Sequence, residues 1–81
     1  MRVELRKQPK KFLLNCTQDT YEKVMDALAG LEELNGDIIK LQGRKDEYRL
    51  KIPPYRILFK YDKVEKCIEV TKIGMRGDVY K

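Results

Sequence analysis

The chain has no histidine, so imidazole acid–base chemistry is excluded. It has no serine either, which removes a serine nucleophile. No Gly-x-x-x-x-Gly-Lys phosphate loop is present. The acidic residues are scattered, without a cluster of oxygen ligands for Mg²⁺ or Zn²⁺. Cys16 and Cys67, the two cysteines, lie far apart in different predicted elements and fit neither a disulfide framework nor a zinc site. No run approaches the roughly 18 apolar residues of a membrane span. Met1 to Lys11 is polar and basic, without the apolar core of an export signal. A reducing cytoplasm and no membrane association are the expectations.

What is present fits one small domain, residues 1–81. A chain of this size hides roughly 60–65% of its unfolded surface, which favours a surface groove over an enclosed pocket as a working site. Hydrophobic residues make up 42% and exclude a wholly disordered chain, and 38% are charged. The net charge is +5 and unevenly spread. Residues 1–40 hold seven Lys/Arg and seven Asp/Glu, whereas residues 41–81 hold eleven Lys/Arg and six Asp/Glu. An excess confined to one half favours a polyanion such as nucleic acid, or an acidic protein.

That half contains Glu47 to Tyr61, EYRLKIPPYRILFKY, which reads as a two-faced β-hairpin. Strand alternation sends Tyr48, Leu50 and Ile52 one way and Glu47, Arg49 and Lys51 the other. With Pro53-Pro54 as a two-residue turn, 52 pairs with 55, 51 with 56, 50 with 57, 49 with 58 and 48 with 59. Residues 48, 50, 52, 55, 57 and 59 then share an apolar face. Lys51 falls opposite Arg56 on the other face, with Arg49 one pleat away. Like charges directly opposite each other are destabilising by tenths of a kcal/mol to roughly 1 kcal/mol, so an anion would relieve this face. A solvated outer face on which long basic side chains splay apart is the alternative.

Arg2 to Arg6 alternates as a short strand. Pro9 is expected at the first position of a short helix with Phe12, Leu13 and Cys16 as its stripe. Thr17 or Asp19 is placed to cap a second helix, and Asp19-x-x-Glu22 fits a capping box. Tyr21, Val24, Met25, Leu28, Leu31 and Leu34 follow helical spacing as a core stripe, and Asn35-Gly36 supplies a left-handed stop. Residues 37–47 are expected to connect to the hairpin. A turn around Asp62-Lys63 leads to a last strand, Lys66 to Ile73, with Ile68 and Val70 on one side. The expected fold is α+β, in the order β-α-α-β-β-β, with two helices on one face of a small, mainly antiparallel sheet.

Arginine, lysine and tyrosine remain as functional side chains, and they suit RNA cleavage by its own 2′-hydroxyl. That reaction needs alignment, neutralisation of the phosphorane and a stabilised leaving oxygen, with no protein nucleophile or metal. Proton transfer is the demanding step, since arginine ordinarily titrates above about 12 and lysine near about 10.

Leu41-Gln-Gly43, Glu47-Tyr-Arg-Leu-Lys-Ile52, Tyr55-Arg-Ile-Leu-Phe59, Ile73-Gly-Met-Arg76 and Asp78-Val-Tyr80 together resemble the RelE toxins of the RelE/ParE superfamily. The resemblance covers the second half specifically and the strand–helix–helix start more loosely. It implies the toxin of a type II toxin–antitoxin system: a ribosome-dependent mRNA interferase that cleaves the codon in the ribosomal A site, arrests translation and growth, and needs no cofactor. It also implies two partners, a RelB-like antitoxin and the ribosome with its mRNA. Carried over by position, Arg49 and Lys51 match the two basic residues of the strand before the turn, with Lys51 as base or charge stabiliser. Arg56 matches the arginine that holds the scissile phosphate. Arg76 is placed to help the leaving oxygen, and Tyr80 to stack on a splayed base and orient the attacking sugar. Where Arg49 stands, RelE often has lysine. Arginine binds phosphate but is a poor general base, so either the rate suffers or Lys51 takes the role. Lys7, Lys10, Lys11, Arg44 and Lys45 are expected as generic phosphate contacts, to ribosomal RNA among others. Two alternatives stand beside this: a ParE-like toxin that inhibits DNA gyrase by protein contact, and a catalytically weak RNA-binding relative.

Overall fold

The computed structural model describes residues 1–75. Along the chain these form β1 (Arg2–Leu5), α1 (Lys7–Asn15), α2 (Gln18–Leu31), β2 (Asp37–Lys40), β3 (Glu47–Ile52), β4 (Tyr55–Asp62) and β5 (Cys67–Met75). The strands make one five-stranded sheet in the order β1-β5-β4-β3-β2. β1 runs parallel to β5 and every other pair is antiparallel.

Two helices on one face of a mainly antiparallel sheet is the expected α+β arrangement, with one strand more than expected. β2 lies inside the segment expected to be a connector, so the order is β-α-α-β-β-β-β. Asp37-Ile38-Ile39-Lys40 is four residues long and has two adjacent isoleucines, so it lacks the alternation that marks a strand. Pairing with β3 makes it one: Ile38 turns to the core, and Ile39 stays 47% exposed.

The core lies between the helices and one sheet face. Val24, Leu28 and Leu31 of α2 meet Leu50, Ile57, Phe59, Ile68, Val70 and Ile73, and Phe12 and Leu13 of α1 pack at the margin. Tyr48 stacks on Phe59 with ring centroids 5.6 Å apart. The α2 stripe is narrower than its spacing suggests, because Tyr21, Met25 and Leu34 remain substantially exposed.

Several local features depart from the expected signals. α1 begins at Lys7, which puts Pro9 third in the helix, buried, rather than first. The position is tolerated because a residue third in the helix has no intrahelical acceptor for its N–H; the first such bond here is Lys10 N to Arg6 O. Thr17 caps α2 by accepting from the Thr20 N–H at 3.2 Å, so the Asp19–Glu22 box is not the cap. The helix closes through Asn35 N to Gly30 O and Leu34 N to Leu31 O, both 2.9 Å. Leu34 takes the left-handed turn at φ 56°, with Gly36 following at φ 123°. Past β4, Asp62 Oδ1 accepts from the N–H groups of Val64 and Glu65, both at 3.0 Å, which forms the expected turn.

β5 carries an irregularity that decides which side chains reach which face. Phe59 pairs with Val70 but Leu58 pairs with Lys72, so Thr71 is an extra residue. Its hydroxyl donates to Leu58 O at 3.2 Å. The bulge reverses the alternation: Val70 and Ile73 both enter the core, and Lys72 turns to the opposite face.

Candidate functional site

The hairpin has the register expected from its turn. Ile52 pairs with Tyr55, Lys51 with Arg56, Leu50 with Ile57, Arg49 with Leu58 and Tyr48 with Phe59, and the Pro53-Pro54 peptide is cis. Its apolar set faces the helices. The start of β4 is tied to the helical layer by Tyr55, whose hydroxyl lies 3.1 Å from the Thr20 hydroxyl and whose ring meets Phe12 edge-on at 5.8 Å. Strand alternation then turns Arg56, the next residue, to the opposite face.

Among the described residues no helix lies on the other sheet face, which divides into two electrostatic halves. At the end near β1, acids and bases are intermixed. Arg6 pairs with Glu69, and Arg2 pairs with Glu4 at 3.1 Å. Glu47 registers with Lys60, and Lys60 with Glu69. Arg2 is held above its ordinary pKa by a hydrogen bond to Cys67 and by the charge of Glu4. At the hairpin end, bases outnumber acids among the described residues. One rung holds Lys51, Arg56 and Gly74, and the next holds Arg49, Leu58 and Lys72. Asp37 of β2, in register with Lys51, sets an acid beside these rungs. Neighbouring strands lie about 4.8 Å apart and rungs on one face about 7 Å apart, so the four cations occupy a small area.

The structure thus brings Arg49, Lys51 and Arg56 together. Lys51 is exposed, and Arg49 and Arg56 are half-buried. A surface depression of about 320 Å³ is lined by Lys51, Pro53, Pro54, Tyr55 and Arg56. A larger one, about 520 Å³, lies at the opposite end of the hairpin beside Lys45, Asp46, Lys60 and Asp62. Its mixed charges give no convergent set, so volume is a poorer guide here than charge. Arg76 and Tyr80 lie outside the described residues. The remaining expected cations are not on the face. Lys7, Lys10 and Lys11 project from α1 in the helical layer. Arg44 and Lys45 sit in the β2–β3 loop, where Arg44 lies 3.9 Å from Glu47, about 13 Å along β3 from Lys51.

Sequence reasoning missed three neighbours of this face. Strict alternation puts Lys72 on the side of Ile68 and Val70, and only the bulge turns it out. Asp37 was hidden inside an apparent connector. Gln8 carries no motif signal: its Nε2 donates to Ile73 O at 2.8 Å, and its Oε1 accepts from Ile73 N at 2.9 Å. The amide continues for β5 the edge that β1 supplies up to the bond from Arg6 N to Val70 O. It therefore holds the segment between Lys72 and Gly74.

Among the described residues, no helix is long and apolar enough to cross a membrane, and no group of Asp, Glu and Cys is assembled to hold a metal ion.

The arrangement defines a class: a small α+β chain whose sheet has one face under helices and the other without a helix among the described residues, cationic at its hairpin end. No family model and no curated protein sequence matches it. Solved structures do. It is similar to a chain of the archaeal RelE–RelB complex from Pyrococcus horikoshii, with 27% identity, a TM-score of 0.77 and coverage of 95% of this chain and 96% of that one. The isolated E. coli RelE toxin is 21% identical with a TM-score of 0.75, covering 98% and 89% respectively. The RelBE2 toxin–antitoxin complex of Mycobacterium tuberculosis contributes a chain 16% identical with a TM-score of 0.76, covering 93% and 96%. The chain is RelE-like over nearly its whole described length.

Proposed function

We propose that this chain is the toxin of a type II toxin–antitoxin pair and acts as a ribosome-dependent mRNA endoribonuclease. The observation that carries this is the pairing of Lys51 with Arg56, beside Arg49, on a sheet face that the core does not need. RelE-like architecture supports the same class.

In the reaction, the 2′-oxygen loses its proton and bonds to phosphorus, and the 5′-oxygen leaves and takes up a proton. The products are a 2′,3′-cyclic phosphate and a 5′-hydroxyl. Arg56 holds the non-bridging oxygens and offsets the charge that grows on them. Lys51 shares that load or accepts the 2′ proton, and Arg49 binds phosphate. Arg76 and Tyr80 take their roles by resemblance alone, at the leaving oxygen and the splayed base. With no histidine on the chain, the ribosome supplies much of the alignment, and naked RNA is cut slowly. An acidic, amphipathic RelB-like antitoxin would cover the cationic half and silence it.

The test is expression of wild type, Arg56→Ala and Arg76→Ala with 5′ ends mapped on translated mRNA. Codon-phased cuts bearing 5′-hydroxyls should appear with wild type. They should fall about 10²–10³-fold in each variant, the usual cost of one charge-stabilising donor. DNA damage with intact mRNA would instead identify a gyrase inhibitor of the ParE kind and defeat the proposal.

A further inference from the structure

We propose that Lys72 completes a second phosphate site, so that the open face grips two consecutive phosphates of one RNA strand. This rests on the RNA-cleaving function above and adds a residue and a substrate requirement to it. One phosphate lies on the Lys51–Arg56 rung and the next on the Arg49–Lys72 rung.

The observations are geometric. Arg49 and Lys72 both register with Leu58, one from each side, so their Cα atoms are about 10 Å apart across two strand spacings. Leu58 is only 5% exposed although it lies outside the helix-covered core. Long basic side chains cover such apolar surface with their methylene stems and keep their charged ends in water. Arg49 and Lys72, both half-buried, flank Leu58 in register, so Leu58 lies between two cations. The adjacent rung lies about 7 Å away, comparable to one nucleotide step of an extended strand. A repeat of cation pairs at that spacing suits a regular polyanion better than an acidic peptide, whose carboxylates follow no such period. The device depends on the Thr71 bulge, without which Lys72 would point into the core.

The experiment measures binding of two uncleavable 2′-O-methyl oligonucleotides, a dinucleoside monophosphate and a trinucleoside diphosphate. Proteins compared are wild type, Lys72→Gln, Lys72→Arg and Arg56→Ala. Wild type should prefer the two-phosphate ligand by about tenfold at low salt, as expected for one added charge-assisted contact. Lys72→Gln should bind both alike, while Lys72→Arg keeps the preference. On a longer single strand, Lys72→Gln should lower the salt slope by about 0.7, the loss of one phosphate contact. An unchanged melting temperature for Lys72→Gln separates this from misfolding. Wild-type preference persisting in Lys72→Gln overturns the second site and leaves the RNA-cleaving function standing. Wild type binding neither oligonucleotide better than Arg56→Ala does overturns both. Displacement of the trinucleotide by polyglutamate at equal charge concentration assigns the face to acidic peptides and also overturns the site.

Discussion

Gln8→Ala is the substitution that most directly tests how this face is held in shape. The wild-type amide makes two hydrogen bonds to the Ile73 backbone, at 2.8 and 2.9 Å. A hydrogen bond within a protein contributes about 0.5–1.5 kcal/mol net, so losing both costs about 1–3 kcal/mol. The upper end is not reached, because Gln8 is exposed and water can replace part of what it supplies. A loss of about 2 kcal/mol lowers the melting temperature by roughly 8–16 °C in a domain of this size. In urea the midpoint should fall by roughly 1–2 M. Hydrogen exchange localises the effect: the Ile73 amide should lose protection before the amides of Phe59 or Ile57 do. Gln8→Glu sharpens the logic. It keeps an acceptor for the Ile73 N–H but sets a second oxygen against the Ile73 carbonyl, so it should destabilise at least as much as alanine. A melting temperature within about 2 °C of wild type for Gln8→Ala, with unchanged protection at Ile73, would refute the clamp. β5 would then be held at that point by β4 alone.

Other outcomes follow from the same geometry. Asp37→Asn removes the acid in register with Lys51 and should tighten polyanion binding roughly two- to fivefold at low salt, with the gain fading as salt rises; fluorescence titration with single-stranded RNA reads it. Thr17→Ala removes the α2 cap and should cost about 1 kcal/mol, or roughly 4–8 °C in a thermal melt. Asp19→Ala should do much less in the same melt, since the cap does not use Asp19. Phe59→Ala empties a fully buried site stacked on Tyr48 and should cost about 3–5 kcal/mol, measured as a lost or sharply lowered cooperative transition.

Local rules carried a good part of this molecule. The hairpin register was legible because alternation and a two-residue turn leave one pairing that collects all the apolar side chains on one side. That pairing set Lys51 against Arg56 before any tertiary information. The heart of the α2 stripe, Val24, Leu28 and Leu31, was legible for the matching reason at helical period. Its edges were not, since spacing shows which residues share a face and not how wide a face the sheet will cover. The helix stop was placed one step late, at Asn35-Gly36, because residue preference names glycine and asparagine for left-handed turns while Leu34 occupies the first of them here.

Arg49, Lys51 and Arg56 were thus placed on a common strand face by the sequence alone, because period and turn length are local properties. Their setting was decided by the tertiary structure. β2 is a strand only because β3 offers it an edge, and with it comes Asp37 beside Lys51. Lys72 joins the cations only because β5 must keep both Val70 and Ile73 in the core and inserts Thr71 to do so. Gln8 matters only because β1 ends before β5 does. Each of these depends on a partner far along the chain, and sequence spacing carries no record of which residue will arrive there.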